Sequence, residues 1–387
     1  MIPYGRQSIS ESDIDQIVQV LRSDFLTQGP IVPRFEEGVA RYCGARHAVA
    51  TNSATSALHV ACLALGVGPG DYVWTSPTTF VASANCALYC GARVDFVDID
   101  PQTYNMSVSR LAEKLVKAKI DGTLPKVVIP VHLCGQSCDM EAIHSLAQEY
   151  GFRIVEDASH AIGGKYKGQP VGNCLFSDIT IFSFHPVKVI TTGEGGMALT
   201  NDPLLARSMQ QYRSHGITSD ASEMKPRPED EIWNYQQIRI GYNYRMTDIL
   251  AALGVSQLSR LDEFVRVRHE VAGYYDRTLA ELPVTIPRQH PDAYSSYHLY
   301  PIRVTAKQCG KTQRQIYRAL HAAGVLVNLH YIPVYRQPFY EQMGFGAGYC
   351  PEAERYHKET LSLPMFPSLS RQDQQRVVSA LTEVLSS

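Results

Sequence analysis

Short apolar runs alternate with helical patterns through the first half of the chain, and this alternation constrains the fold more than any other feature. The runs typical of strands are Ala48-Val49-Ala50, Tyr72-Val73-Trp74, residues 94–97, residues 126–131, Arg153-Ile154-Val155 and residues 179–182. The helical patterns between them cover residues 55–65, 81–89 and 140–150. Strands separated by helices form βαβ units. The sequence therefore predicts an α/β fold with a mostly parallel sheet covered by helices on both faces.

The pattern changes after residue 247. Apolar residues recur at helical spacing from there to Pro283, which predicts one long helix with Thr247 as its N-cap. The elements expected beyond it are strands over 299–304 and 325–329, a helix over 313–323, and a last helix from Arg371 capped by Ser370. We therefore expect a large domain over residues 1–255, including an N-terminal helix after Ser10. A smaller α+β domain over residues 256–387 would be joined to it through the long helix.

Charge and apolar content exclude several classes of protein. The 387 residues include 36 basic and 38 acidic side chains, and 44% are hydrophobic. A net charge of −2 argues against nucleic acid as the main partner, because counterion-releasing contacts need clustered Lys and Arg. No uncharged apolar run reaches the roughly 18 residues of a membrane span, and the amino terminus has no signal pattern. We therefore expect a cytoplasmic protein without nucleic-acid or membrane partners.

The nine cysteines indicate neither a disulfide framework nor a metal site. Their number is odd, and Cys134 and Cys138 are not followed by a second Cys or His pair at zinc-site spacing. We expect most of them to be small buried residues in a reducing compartment, and we expect no bound metal.

Three segments hold residues that could carry chemistry, because ligands of parallel α/β sheets bind at the carboxyl ends of the strands. The first segment, residues 51–57, lies between a strand and a helix. Its small side chains and free N–H groups would favour an anion such as phosphate. An ordinary Ser/Thr helix cap also explains this segment, and it is the simpler interpretation of the segment alone.

The second segment places an acid directly after an apolar run. Asp157 follows Val155 and Glu156, and a buried carboxylate needs a cation or hydrogen-bond donors. The protonated nitrogen of a heteroaromatic cofactor is one such partner, and a cap on the next turn is an equally good explanation. His160 fits a structural histidine as well as a ligand contact.

The third segment is Ser183-Phe184-His185-Pro186-Val187-Lys188, which leads into a turn rich in Gly and Thr. Desolvation and a nearby cation can lower the pKa of a lysine held in such a turn, which leaves its amine nucleophilic. A lone lysine is usually a surface charge, so the significance of Lys188 comes from the three segments together.

These segments resemble the DegT/StrS-type sugar-nucleotide aminotransferases, which use pyridoxal phosphate (PLP) and have the aspartate-aminotransferase, or type I, fold. The resemblance is strongest at Asp157-Ala158-Ser159-His160-Ala161 and at the Lys188 segment, and it extends from Leu26 to Pro364. Within the family, residues 52–58, 213–216, 298–301 and 330–335 are most similar to the 4-aminotransferase of pseudaminic acid synthesis.

The resemblance implies a role for each candidate residue. Lys188 would bind PLP covalently and then move a proton between the substrate carbon and the cofactor, while Asp157 would keep the pyridinium nitrogen protonated. The other implied cofactor contacts are Ala54, Thr55 and Ser183 at the phosphate, Phe80 on the ring, His160 near the phenolic oxygen, and Asn243 at the phosphate of the neighbouring subunit. The implied substrate contacts are Tyr4, His330 and Tyr331. Without the resemblance, packing in the core explains Phe80 better.

Residues 217–233 are polar and contain two prolines, so we expect them to form a loop. This loop could equally well close over the substrate or be an ordinary surface loop.

The function implied is transfer of an amino group from L-glutamate, through PLP and its pyridoxamine form, to C4 of a UDP-4-keto-6-deoxy-N-acetyl-hexosamine. The product would be UDP-4-amino-4,6-dideoxy-N-acetyl-β-L-altrosamine, made by a homodimer with shared sites for pseudaminic acid, surface glycans and flagellin glycosylation. The alternative within the family is an enzyme that forms UDP-4-amino-4-deoxy-L-arabinose or another amino sugar nucleotide.

Three other functions fit the sequence less well. PLP-type sugar dehydratases of the same fold have a histidine where this chain has Lys188. A non-catalytic regulator of transcription would need a basic helix-turn-helix segment, which the sequence lacks. A nicotinamide-dependent oxidoreductase would need Gly-x-Gly-x-x-Gly after the first strand, which is also missing, and fold-level analogy alone is weak support for a function.

Overall fold

The computed structural model describes residues 1–228 and 235–386, and its strands fall into one large sheet and several small ones. In chain order the strands are β1 (Ile2–Pro3), β2 (His47–Thr51), β3 (Tyr72–Thr75), β4 (Arg93–Phe96), β5 (Val127–Ile129), β6 (Arg153–Asp157), β7 (Lys165–Tyr166), β8 (Gln169–Pro170), β9 (Ile179–Ser183), β10 (Gly196–Thr200), β11 (Ile217–Thr218), β12 (Gln236–Gln237), β13 (Ala293–Tyr294), β14 (Tyr300–Arg303), β15 (Val325–Leu326) and β16 (Thr360–Leu363).

Helices connect these strands. In chain order they are α1 (Glu11–Leu21), α2 (Ile31–Cys43), α3 (Ala54–Ala64), α4 (Ala82–Tyr89), α5 (Val108–Asp121), α6 (Met140–Tyr150), α7 (Pro203–Arg213), α8 (Asp248–Leu258), α9 (Leu261–Leu279), α10 (Ala306–Cys309), α11 (Gln313–Ala322), α12 (Pro338–Glu341), α13 (Pro351–Glu359) and α14 (Arg371–Ser386). No helix within the described ranges is long and apolar enough to cross a membrane.

Side-chain caps fix where several of these helices begin. Ser10 and Asp13 form a complete capping box at α1, and the Thr247 hydroxyl accepts a hydrogen bond from the Leu250 N–H at the start of α8. The Ser370 hydroxyl accepts from the Asp373 N–H at the start of α14. Such caps satisfy N–H groups that the helix itself leaves free. The starting points predicted for these three helices are therefore confirmed.

The large sheet has seven strands among the described residues, in the order β2-β10-β9-β6-β5-β3-β4. All neighbours pair in parallel except β10, which runs antiparallel to both β2 and β9. Alternate strand residues face opposite sides, and each side is covered by helices. One side buries Val49, Val73, Val155 and Ile181 with residues of α3, α4 and α7, and the other buries Ala50, Trp74, Ile154 and Phe182 with residues of α2, α5, α6 and α8. The predicted α/β fold with a mostly parallel sheet is confirmed.

The C-terminal part has its own core around the antiparallel pair β14 and β16. Residues from α9, α11 and α14 pack on it, so this part is an α+β arrangement, as expected. The first strand, β1, pairs in parallel with β15, and Ile2 is buried in this C-terminal core. The amino terminus is therefore held against the C-terminal part of the chain, while the division at residue 255 stays a prediction.

The single long helix predicted after Thr247 is wrong, because the structure has two helices, α8 and α9, with a break at Ser259 and Arg260. The Ser259 hydroxyl donates to the Ser256 carbonyl, 2.7 Å away, and such local bonds compete with helical hydrogen bonds. The Arg260 side chain pairs with the buried Asp13 carboxylate of α1. The strand expected over 325–329 ends at Leu326. The loop expected over 217–233 is wrong at its start, because Ile217–Thr218 pairs with Gln236–Gln237 as strand β11. Residues 229–233 of this loop lie outside the described residues.

Candidate active site

The ends of four neighbouring strands meet at one edge of the large sheet. Gly196, the first residue of β10, lies opposite both Thr51, the last residue of β2, and Ser183, the last residue of β9. Asp157, the last residue of β6, pairs with Ile181 of β9, which is two residues before the end of that strand. The three segments singled out in the sequence are therefore adjacent in space, because they follow β2, β6 and β9 at the edge where parallel α/β sheets bind their ligands.

A cavity of about 1160 Å³ opens at this edge. It is lined by ten of the residues that the resemblance singles out, namely Tyr4, Ala54, Thr55, Phe80, Asp157, His160, Ser183, Lys188, His330 and Tyr331. Asn243 does not line it. Pockets for small ligands commonly measure about 300–1000 Å³, so this cavity has room for more than one small group.

The start of α3 lines the cavity and forms an anion cradle. Ser53 caps the helix by accepting a hydrogen bond from the Ser56 N–H, 3.1 Å away. The N–H groups of Ala54 and Thr55 have no acceptor among the residues that the structure describes. A Cβ atom on Gly196 would lie 2.4 Å from the Ala54 nitrogen, so only glycine lets β10 approach the cradle this closely. Free N–H groups at a helix N-terminus are suited to bind phosphate.

The Asp157 carboxylate is buried, with 4% of the residue exposed, and receives two hydrogen bonds. The Ser83 hydroxyl donates to Oδ2 over 2.6 Å, and the Ser159 N–H donates to Oδ1 over 3.1 Å. Ser83 lies on α4, which sequence reasoning did not connect with this carboxylate. A carboxylate can accept more than two hydrogen bonds, so this buried side chain can also accept one from a cationic ring nitrogen in the cavity.

Lys188 is half-buried beside this carboxylate. Burial lowers the pKa of Lys188 to about 8, although the nearby Asp157 carboxylate acts in the opposite direction. A lysine with such a pKa keeps an appreciable neutral fraction near neutral pH, and only the neutral amine is a nucleophile. The nearby cation that sequence reasoning invoked for this effect is not among its causes.

His160 forms the middle of a hydrogen-bonded chain with a defined direction. The Cys134 N–H donates to His160 Nδ1 over 3.2 Å, and His160 Nε2 lies 3.1 Å from the Tyr331 hydroxyl oxygen. Burial, followed by the charges of Lys188 and His330, holds the pKa of His160 well below its usual value, so the ring is neutral. Because Nδ1 accepts, the single ring proton is on Nε2, which donates to Tyr331. The Tyr331 hydroxyl hydrogen is therefore left to donate to another group.

Two further buried histidines face the same cavity. The ring of His298 lies 4.4 Å from that of His160, and its Nδ1 has no hydrogen-bond partner in the described ranges. A 2.8 Å hydrogen bond joins His330 Nδ1 to the Ser362 hydroxyl, and the His330 ring contacts that of Tyr4. Burial holds the pKa of His298 well below its usual value and lowers that of His330 to about 3. This wall therefore offers neutral donors and acceptors.

Phe80 and Asn243 lie at the margins of the site. Phe80 follows β3 and is 60% exposed at the cavity, so the alternative that it packs in the core does not hold. The Asn243 side chain is exposed, and its carbonyl accepts a 3.4 Å hydrogen bond from the Asn52 side chain next to the cradle. Its contact with a neighbouring subunit stays a prediction.

Sequence reasoning missed several residues of the cavity. His298 was noted only as part of a motif, while Asn328 and Gly196 were not singled out as site residues. The Asn328 side chain contacts the Tyr4 hydroxyl. Ser362 of β16 pairs with Asn328 and hydrogen-bonds His330, and these contacts hold both residues at the cavity. Asn328 lies inside the strand expected over 325–329, so its only signal is that it is a polar residue within an apolar run.

The residues present fit PLP. The free N–H groups of the cradle suit a phosphate, the buried Asp157 suits a pyridinium nitrogen, the exposed ring of Phe80 suits an aromatic face, and Lys188 is a reactive amine. No group of three or more His, Cys, Asp or Glu side chains in the described part of the chain could hold a metal ion.

Comparison with known proteins supports this assignment. The profile of the DegT/DnrJ/EryC1/StrS aminotransferase family matches residues 7–382. The spore coat polysaccharide biosynthesis protein SpsC of Bacillus subtilis is 39% identical over 99% of this chain and 97% of its own length. The UDP-4-amino-4,6-dideoxy-N-acetyl-beta-L-altrosamine transaminase of Campylobacter jejuni strain 81-176 is 38% identical over 100% of this chain and 98% of its own. The structure of Helicobacter pylori PseC, an aminotransferase involved in the biosynthesis of pseudoaminic acid, has a TM-score of 0.90 and 32% identity, covering 100% of this chain and 99% of that one.

Proposed function

Because the chain belongs to the DegT/DnrJ/EryC1/StrS family, and is therefore a PLP-dependent sugar aminotransferase of the type I fold, we propose that it aminates C4 of a nucleotide sugar. The donor is L-glutamate and the acceptor is a UDP-4-keto-6-deoxy-N-acetyl-hexosamine. The product is UDP-4-amino-4,6-dideoxy-N-acetyl-β-L-altrosamine, used for pseudaminic acid and the surface or flagellin glycans that contain it. The observation that carries this proposal is the 38% identity, over the whole chain, to the Campylobacter transaminase.

The cavity has room for a large acceptor, and part of its lining suits the uncharged sugar of that acceptor. Its volume of about 1160 Å³ exceeds what a cofactor of PLP size requires, and its lining includes the polar residues Tyr4, Asn328, His330 and Tyr331. Such neutral polar groups bind sugar hydroxyls and amides by hydrogen bonds without demanding a charged substrate. We assign these four residues to the sugar.

PLP, when bound, supplies the electron sink that allows a proton to leave the carbon bearing the amine. In the proposed reaction the Lys188 Nζ atom accepts that proton when neutral and returns it when charged, a task for which a pKa of about 8 is suited. When PLP is bound, Asp157 would hold positive charge on the ring nitrogen, and the N–H groups of Ala54 and Thr55, with Ser183, would hold the phosphate. His160 remains neutral and donates its Nε2 proton, so it orients oxygen atoms without taking up a charge.

We also propose that two copies of the chain complete each site. Among the described residues that line the cavity, Lys188 is the only lysine and no arginine is present. A nucleotide diphosphate needs cations or N–H donors to bind. The segment that contains Asn243 exposes three large apolar side chains, Tyr235, Ile238 and Ile240, at 67%, 39% and 79%. A second copy covering this segment would bury them and bring Asn243 and the neighbouring Arg245 to the other site in a cytoplasmic homodimer.

The test is a panel of 4-keto and 3-keto sugars, each as the UDP and the dTDP nucleotide, with L-glutamate as donor. Products are identified by mass spectrometry and by NMR of the aminated carbon. We expect the UDP-4-keto-6-deoxy-N-acetyl-hexosamine to be aminated at C4 with the highest kcat/KM. Lys188→Ala, prepared in parallel, is the control that separates enzymatic from spontaneous amination. Preference for the 4-keto-arabinose nucleotide, or for any 3-keto sugar, would contradict the proposed substrate while leaving the aminotransferase activity intact.

A further inference from the structure

Two hydroxyl groups connect the loop that carries Phe80 to the Asp157 carboxylate. The Thr79 hydroxyl oxygen lies 2.8 Å from that of Ser83, and the Ser83 hydroxyl oxygen lies 2.6 Å from Asp157 Oδ2. Thr79 is 3% exposed and Ser83 is fully buried. We call Thr79, Ser83 and Asp157 the hydroxyl relay.

The hydroxyl relay has a defined direction. A distance of 2.6 Å is typical of a hydroxyl that donates to a carboxylate, and such charge-assisted bonds are stronger than neutral ones. A second acceptor for the Ser83 hydroxyl, the Phe80 carbonyl, is farther away at 3.3 Å. Because the single hydrogen of this hydroxyl goes to Asp157, the Ser83 oxygen accepts a hydrogen bond from Thr79. Thr79 therefore donates to Ser83, and Ser83 donates to Asp157.

The hydroxyl relay joins two parts of the sheet edge that are not neighbours. Thr79 and Phe80 lie in the loop between β3 and α4, whereas Asp157 ends β6, and β5 separates β3 from β6. Thr79, Phe80 and Asp157 all line the cavity. The relay therefore links the residue proposed for the face of the cofactor ring to the residue proposed for its nitrogen.

Neither helix capping nor the backbone of β6 explains these hydroxyl groups. Val81 is the N-cap of α4, and no side chain in the described ranges makes a capping hydrogen bond there. The Asp157 N–H donates to the Pro130 carbonyl over 2.9 Å, and the His132 N–H donates to the Asp157 carbonyl over 3.0 Å. The backbone of Asp157 is thus held without the relay, so the bond from Ser83 acts on the orientation of the carboxylate.

We propose that Ser83 and Thr79 are positioning residues for the cofactor ring, an inference that rests on the proposed role of Asp157 at the ring nitrogen. Ser83 keeps the Asp157 carboxylate from rotating away from that nitrogen. Thr79 holds the Ser83 hydroxyl in the orientation that this bond requires, and it fixes the loop of Phe80 relative to Asp157. Binding groups need such support, because a small misplacement weakens their contacts.

The first experiment titrates the apoenzyme with PLP and follows the visible absorbance of the bound form. We expect Ser83→Ala to raise the Kd about tenfold, because Oδ2 of Asp157 loses its donor. Thr79→Val removes only the bond to Ser83 and should raise the Kd about threefold, whereas Thr79→Ser keeps the hydroxyl and should bind PLP nearly as the wild type does. A Ser83→Ala apoenzyme with the affinity of the wild type would overturn the proposal.

Thr78→Val is the matched control for this titration. Thr78 is buried in the same loop, but its hydroxyl has no hydrogen-bond partner among the residues that the structure describes. This variant should therefore bind PLP as the wild type does. The comparison of Thr79→Val with Thr79→Ser decides the question even if Ser83→Ala does not fold, since equal affinities of these two variants would contradict the relay.

The second experiment uses double variants to ask whether both hydroxyls act through Asp157. Changes within one hydrogen-bonded chain are not additive. Thr79→Val combined with Ser83→Ala should therefore bind PLP within about twofold of Ser83→Ala alone. In the Asp157→Ala background, Ser83→Ala should likewise change the Kd by less than about twofold. Additive losses in either case would show that the hydroxyls only shape the loop, and would overturn the proposal.

The single variant Asp157→Ala separates this proposal from the role of Asp157 itself. Wild-type affinity in Asp157→Ala would overturn the role of the carboxylate and the relay together. Weak binding by Asp157→Ala with normal binding by Ser83→Ala would overturn the relay alone. These titrations do not depend on the identity of the sugar substrate.

Discussion

Lys188, the lysine that we propose serves the reaction, should destabilise the folded protein. The pKa of Lys188 falls from 10.5 to about 8 in the folded chain, so folding disfavours its charged form. Each pKa unit corresponds to about 1.4 kcal/mol, and because the side chain is only half-buried we expect a penalty of about 2–3 kcal/mol at pH 7. Lys188→Met keeps an unbranched side chain and removes the charge. The apoenzyme of this variant should therefore be more stable than the wild-type apoenzyme by about that amount.

The pH dependence distinguishes this effect from a simple gain in packing. The penalty is fully present below pH 8, where Lys188 is protonated in both the folded and the unfolded chain. Between pH 8 and pH 10.5 the folded chain has lost the proton and the unfolded chain still holds it, so the wild type becomes relatively more stable. The stability difference should fall to about 60% of its pH 7 value by pH 9. A packing effect would be independent of pH.

The assay is chemical and thermal denaturation of both apoenzymes at pH 7, 8, 9 and 9.5, with chain concentration held constant. Lys117→Met is the matched control, because Lys117 is exposed on α5 and its replacement removes one lysine charge without changing a buried site. A Lys188→Met apoenzyme that is less stable than wild type at pH 7 would refute the reasoning. So would a stability difference that is unchanged between pH 7 and pH 9.

Three further variants test other parts of the site. Asp157→Asn should lower kcat with L-glutamate by about 100-fold or more, because the ring nitrogen loses its anionic partner, and near-normal turnover would contradict the role of this carboxylate. Gly196→Ala should weaken PLP binding about tenfold or more, because its Cβ would lie 2.4 Å from the Ala54 nitrogen. The affinity is measured by titration of the apoenzyme with PLP. Gly273→Ala is the control and should bind PLP normally, because the atom nearest to its Cβ would be 3.5 Å away. Tyr331→Phe leaves the His160 Nε2–H without its acceptor, which costs about 1–3 kcal/mol. The kcat/KM should therefore fall about 10- to 100-fold while the visible absorbance of bound PLP persists. An unchanged kcat/KM would argue against the hydrogen-bonded chain.

Local sequence patterns predicted the elements that carry the proposed cofactor contacts, because these patterns are set by neighbouring residues. Strand ends followed by small or polar residues located the cradle, Asp157 and Lys188, and the structure places all three at one edge of the sheet. The order of the strands could not be read in the same way. The antiparallel β10 lies between β2 and β9, and this pairing joins residues about 150 positions apart that have no shared sequence signal.

Contacts made across the fold explain what sequence reasoning missed. Helical periodicity continues through Ser259 and Arg260, but the pairing of Arg260 with Asp13 on α1 is a tertiary contact that periodicity does not report. His298 was likewise invisible as a site residue, because its place beside His160 depends on Arg268 of α9. That buried guanidinium donates to the His298 carbonyl over 3.2 Å and to the Met365 carbonyl over 3.1 Å.

The pairing of β2 with β10 also determines when the site can form during synthesis of the chain. The cradle residues after β2 leave the ribosome early. The strand that packs against them is β10, Gly196–Thr200, and Lys188 lies in the connection just before it. Closing a loop of about 150 residues is slow compared with forming local structure. Until that closure, β2 has no partner strand within the described sheet, and its exposed edge is open to wrong pairing. The cradle and the lysine are therefore completed in a single late step, so a truncated chain ending before residue 196 should have neither a stable sheet edge nor any affinity for PLP.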